Sequence, residues 1–132
     1  MLPKRYGAPR LFGCAIYYML TPDTFSEMHR LKSDELYHFY LGDPVEMLQL
    51  SPNRKGKIIT IGNDLLAGMY PQTLVPYAVW QGSRLAPGGR YALLGCTAAP
   101  GFDFADYEPG KRDELARQYP EFGELIAELT RW

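Results

Sequence analysis

The chain has 132 residues, 46% of them hydrophobic and 14% aromatic, with a formal net charge of -1. That length suits one domain with one core and needs neither disulfides nor a structural metal to fold. A charge so near zero, with Lys and Arg scattered and no basic stripe, excludes nucleic acid as an expected partner.

Glycine and proline, 13 and 11 residues, mark a turn-rich β protein, because the aromatic content is too high for a disordered chain. Residues 1–13 read as an arm: Pro3, Gly7 and Pro9 break regular structure, and Lys4 and Arg5 solvate it. No signal-peptide cleavage pattern follows the basic start, and no apolar run is long enough for a membrane helix. Cys14 and Cys96 fit neither a CxxC nor a zinc spacing, so both are expected to be buried, reduced thiols of a cytoplasmic protein.

Residues 14–20 are rich in β-formers and end at the turn Thr21-Pro22-Asp23. Residues 25–42 read as two strands joined at Lys32, Ser33 and Asp34, a predicted hairpin that holds both histidines, His29 and His38. Strand side chains alternate between faces, so His29 and Leu31 share one side, as do Glu35, Tyr37 and Phe39. Further strands are predicted at 45–50, 57–61, 71–75, 79–85 and 90–97. The last two flank Ala86-Pro87-Gly88-Gly89 and read as a second hairpin. Short strands with Gly and Pro turns and no interleaved helices argue for an antiparallel sandwich or barrel. Beyond it, in residues 109–132, Leu115, Tyr119, Phe122, Ile126 and Leu129 form one helical face. Pro120 divides that stretch into two short helices.

The spacing His29-x-Leu31-x-x-x-Glu35-x6-Gly42 resembles the first cupin motif, with leucine at the second histidine position. Pro76-x-Ala78-x-x-Gln81 resembles the second motif, with alanine in place of glycine and glutamine in place of histidine. The phrases AIYYML, HRLKSDELYHFYLGDP, PQTLVPYAVWQ and CTAAPGFDFADYE are similar to the small cupins called cupin-5, a domain of unknown function, over residues 15–108. The resemblance implies an all-β fold, the double-stranded β-helix or cupin jelly roll, over residues 14–108, with short C-terminal helices. It also implies a pocket between the sheets, a dimer, and similarity to sugar-nucleotide epimerases. The chain departs from the family before AIYYML, where relatives usually carry a further helix and a Gly-Gly-Tyr-type strand, and at Tyr37, where tryptophan is common.

Three chemistries follow for the pocket. His29, Glu35 and Gln81 stand at positions matching cupin metal ligands, but one imidazole is a poor donor set, so neither metal nor cofactor is expected. In an epimerase or isomerase reading, His29 is the base, Glu35 orients it and Tyr37 donates a proton. In a binding reading, Tyr37, Trp80 and Phe104 supply aromatic walls and Gln72, Gln81 and Glu35 supply direction for a polar or sugar-like small molecule. Phe39 is assigned to core packing, and Asp103 and Asp106 to turns. A homodimer is expected as well. Leu36, His38 and Tyr40 point outward, and one helical stripe covers only one of two sheets.

Overall fold

The structure is a computed structural model that describes residues 2–132. Among the described residues there are nine strands: β1 (Cys14–Leu20), β2 (Phe25–Arg30), β3 (Glu35–Gly42), β4 (Val45–Leu50), β5 (Gly56–Ile61), β6 (Gln72–Val75), β7 (Trp80–Leu85), β8 (Ala92–Ala98) and β9 (Glu108–Pro109). They form two antiparallel sheets, ordered β1-β8-β3-β6 and β5-β4-β7-β2-β9. Two short helices follow, α1 (Arg112–Gln118) and α2 (Gly123–Glu128), separated by a 3-10 turn over Pro120–Phe122. This is the mostly-β cupin architecture anticipated from the sequence motifs.

Both predicted hairpins need correction. β2 pairs with β7 and β9, whereas β3 pairs with β6 and β8, so residues 25–42 step from one sheet to the other. β7 and β8 are likewise split between sheets by the turn at 86–89. Turn chemistry reports where the chain bends, and a bend that carries it across a sandwich has the same residues as one that folds it back. The β4–β5 pair is a true hairpin, closed at Leu50 and Gly56.

The connection from β2 to β3 is tied down by its own polar groups. Arg5 Nε donates to the Lys32 carbonyl at 2.8 Å, the Ser33 hydroxyl meets Tyr6 Oη at 2.9 Å, and Asp34 Oδ1 accepts the Tyr77 amide at 2.8 Å. A β-bulge then sets what β2 presents. Ser26 lies opposite Ser83 and His29 opposite Gln81, so three steps on β2 match two on β7. The extra residue reverses the alternation, turning both Ser26 and His29 inward while Phe25 and Met28 face outward.

Apolar packing divides along the same line. Val45, Met47, Leu94, Ile61 and Val75 fill the space between the sheets, with Phe39 packed against them. The other side of β4, Leu48 and Leu50, joins Met28, Leu115, Tyr119, Ile126 and Leu129 under the helices. Hence neither side of β4 is solvated, and the predicted helical stripe covers the five-stranded sheet. The outer side of the four-stranded sheet has no such cover: Tyr17 is 79% exposed, Met19 53% and Leu74 51%. Leu48→Ala is expected to cost about 2–5 kcal/mol by opening a cavity beneath the helices. Urea denaturation should show a lower midpoint at unchanged slope, and a cost below about 1 kcal/mol would contradict the helical cover.

Candidate functional site

Apolar side chains fill the space between the sheets at one end only. At the other end a cavity of about 360 Å³ remains, open to solvent. Its walls come from both sheets: Ile16 and Tyr18 on β1, Ser26 and His29 on β2, Glu35 and Tyr37 on β3, and Cys96 and Ala98 on β8. Leu31, Phe102, Phe104 and Tyr107 complete it from the connecting segments. Glu35 and Tyr37 enter together because alternate residues of one strand share a face.

Glu35 is the centre of the polar floor. Gln81 Nε2 donates to its Oε1 at 2.5 Å, and the Cys96 thiol donates to its Oε2 at 2.9 Å. His29 Nε2 lies 3.8 Å from Oε1. The other ring nitrogen, Nδ1, is 2.6 Å from the Glu27 carbonyl oxygen. A carbonyl only accepts, so Nδ1 carries a proton, and whenever the ring is neutral its lone pair is at Nε2, on the Glu35 side. Tyr107 stacks on the imidazole at 4.9 Å between centroids and donates from its hydroxyl to Glu27 Oε1 at 2.7 Å. The backbone bond and the stacking partner together hold the ring.

The electrostatics follow from this network. Burial pushes the Glu35 carboxyl up, but a protonated His29 beside it and the donors Cys96 and Gln81 outweigh it, leaving Glu35 below its ordinary value. Burial and then the Glu35 charge push the Tyr37 phenol and the Cys96 thiol upward. At neutral pH the floor therefore holds one carboxylate beside a protonated thiol and a protonated phenol.

A metal does not fit this donor set. A carboxylate oxygen only accepts, so Gln81 turns its NH₂ toward Glu35, and with the Cys96 thiol on the other oxygen both carboxylate oxygens are already hydrogen-bonded. Leu31 is apolar, and among the described residues no three His, Cys, Asp or Glu side chains are grouped to hold a metal ion.

The other residues singled out from the sequence are dispersed. Gln81 reaches the cavity only through Glu35. Phe104 stands at the mouth, 85% exposed. Trp80 lies on the opposite face of β7, against the cluster under the helices, with the Arg30 guanidinium 4.5 Å from its ring centroid. Gln72 is exposed on β6 and does not line the cavity. Asp103 caps a short 3-10 turn by accepting the Ala105 amide at 2.8 Å, whereas Asp106 is buried in an ion pair with Arg10. Cys14 is half-buried and not fully buried, and both free cysteines line the cavity. Ser26, Tyr107 and the two cysteines carried no spacing signal. Only the final tyrosine of the phrase GFDFADYE offered a hint.

Because the folded Glu35 carboxyl lies below its unfolded value, the unfolded chain takes up a proton first as the pH falls. Its contribution to stability is complete above about pH 4.3 and is lost as the pH drops through the depressed folded value. Glu35→Gln is expected to flatten the acid limb of the stability profile measured by denaturation between neutral and acid pH. An unchanged acid limb would show that the carboxylate is not held as described.

A family model described as Cupin superfamily (DUF985) matches residues 2–109. The uncharacterized protein YML079W of Saccharomyces cerevisiae is 28% identical over 95 residues, 70% of this chain and 47% of its own length, so the chain spans about half of that curated relative. Protein SO0799 from Shewanella oneidensis is 32% identical, with a TM-score of 0.86 over 97% of this chain and 81% of that one. A dTDP sugar isomerase from Desulfovibrio desulfuricans G20, 19% identical over 91% of this chain and 76% of its own, has a TM-score of 0.65 and shares the fold alone. The jelly roll, the two motif segments and the match over most of the chain agree: the chain belongs to the cupin superfamily, in the family DUF985.

Proposed function

We propose that the protein binds a small polar molecule in the cavity between its sheets. The observation that carries this reading is a solvent-open space of about 360 Å³ with a buried carboxylate and an imidazole at its floor. A void left only by poor packing is apolar, whereas this one has acceptors that need donors from a guest. Hydroxyl groups on a sugar-like ring would donate to Glu35 and His29 Nε2, and the ring faces would lie against Tyr18, Tyr37 and Tyr107. Two free cysteines suit a reducing compartment, and we place the protein in the cytoplasm on that ground.

A second reading is proton transfer, favoured by the fixed tautomer of His29. Nε2 is poised to take a proton, and Tyr37, protonated on the facing sheet, is poised to return one. Among the described residues no Lys or Arg lines the cavity, so a diphosphate would find no counter-charge. The isomerase alternative is therefore better suited to an uncharged sugar than to a sugar nucleotide. Thermal-shift screening against monosaccharides, polyols, amines and small carboxylates is expected to find a ligand that raises Tm in the wild type and at least tenfold less binding in His29→Ala. No ligand at all, together with a higher Tm for the cavity-filling Ala98→Leu, would make the cavity a packing defect.

The protein is also proposed to be a homodimer. The bare outer side of the four-stranded sheet presents Tyr17 and Tyr40 in edge contact at 6.1 Å, with His38 stacked on Tyr40 and Leu74 alongside. A contiguous apolar patch of this kind favours burial against its own copy. Light scattering at micromolar concentration is expected to give twice the 15.0 kDa of the chain, and Tyr40→Glu to weaken the association. A wild-type mass of 15.0 kDa would overturn the dimer.

A further inference from the structure

We infer that the cavity selects a ligand carrying a positively charged nitrogen, an organic ammonium seated on Glu35 with its carbon frame against the aromatic wall. This rests on the cavity-binding reading and narrows it. Three independent features of the cavity point the same way.

The first is charge. Glu35 is the only Asp or Glu of the lining among the described residues, and no Lys or Arg stands beside it. Its attachments are an amide and a thiol, both neutral donors, at 2.5 and 2.9 Å. The one nearby group able to become cationic is His29, and its Nε2 stands 3.8 Å away, beyond hydrogen-bond length. With the imidazole neutral, the carboxylate has its hydrogen bonds but no counter-ion, and a buried charge of that kind gains most from an opposite charge brought by a guest.

The second is the direction of the hydrogen-bonding groups. When the ring is neutral, His29 presents a lone pair at Nε2, because Nδ1–H is spent on the Glu27 carbonyl. Glu35 presents oxygens. An ammonium, a donor with no lone pair, satisfies both at once, whereas a carboxylate or phosphate guest would set acceptor against acceptor. The third is the wall. Tyr18, Tyr37, Tyr107, Phe102 and Phe104 line the same cavity as the carboxylate, and aromatic ring faces attract cations. The same aromatic wall without Glu35 would suit any apolar ring. With it, the site takes a cation on an apolar frame.

A matched series tests this: benzylamine, benzyl alcohol and benzoate, titrated into the whole chain by calorimetry near neutral pH. Benzylamine is expected to bind at least tenfold more tightly than benzyl alcohol, and benzoate to give no measurable heat. In Glu35→Gln that preference should fall below threefold while the affinity for benzyl alcohol stays within twofold. Should that variant fold poorly, Phe104→Leu, at an exposed position, is expected to weaken benzylamine more than the alcohol. Equal binding of amine and alcohol by the wild type, or tighter binding of benzoate, would overturn the cation assignment and leave the cavity-binding reading standing. If all three ligands and the broader screen of sugars and polyols fail to bind, both readings fall.

Discussion

One carboxylate joins the two sheets where apolar packing does not. Glu35 projects from β3 in the four-stranded sheet and accepts from Gln81 on β7 in the five-stranded one, while Cys96 on β8 holds its other oxygen. Taking a carboxylate out of water is costly unless its lone pairs are filled, so Gln81, Cys96 and the cavity form one unit. Replacing Gln81 with an apolar residue would leave Glu35 short of a donor. Filling the cavity would strip the remaining water from it. The open space and the ionised group are therefore mutually dependent, which explains how a small β-sandwich tolerates a void beside its core.

The fold around that contact is asymmetric. One sheet packs its outer side under α1 and α2, with Tyr119 Oη reaching the Ser51 carbonyl at 2.7 Å and the Met28 amide donating to the Leu129 carbonyl at 2.7 Å. These bonds weld the helices to β2 and to the β4–β5 loop, so the strand that carries His29 is braced from behind. The opposing sheet, which carries Glu35 and Tyr37, has only its neighbouring strands and an uncovered apolar surface. Of the two partners at the cavity floor, the imidazole is on the stiffer side.

Much of this was legible in the sequence, for identifiable reasons. Strict alternation placed Glu35, Tyr37 and Phe39 inward and separated Val45 and Met47 from Leu48 and Leu50, because β3 and β4 run regularly there. Alternation alone would have set His29 on the same side as Phe25, and a bulge, invisible in composition, moved it inward. The period-two rule also conflicted with grouping Trp80 and Gln81 in one pocket, since adjacent strand residues face opposite ways. Gln72 was misjudged similarly: Thr73 and not Gln72 lies opposite Tyr37 in the register. Pairing between sheets and the convergence of Cys14 and Cys96 depend on contacts between distant strands, and no local pattern records them. Ala78, at a motif position usually held by glycine, keeps the glycine-like conformation with φ of 65°. A backbone shape that favours glycine is thus held here by a residue with a Cβ.

The arm of residues 2–13 fastens the cavity's mouth in a different way from the barrel. Arg10 grips Asp106 through both nitrogens, with Nη2 donating to Oδ1 at 2.6 Å, the Gly101 amide donates to the Leu11 carbonyl at 2.8 Å, and the Phe102 amide donates to Cys14 Sγ at 3.3 Å. These ties hold the segment that carries Phe102 and Phe104, yet Phe104 remains largely in solvent, as do Leu11 and Phe12. A segment fastened by polar clasps and little apolar burial opens at a lower free energy than strands buried on both faces. The mouth is thus expected to open independently of the barrel. Amide exchange in residues 99–107 would proceed by local opening while β4 and β7 exchange only on global unfolding, and a guest would come and go on the clock of the arm.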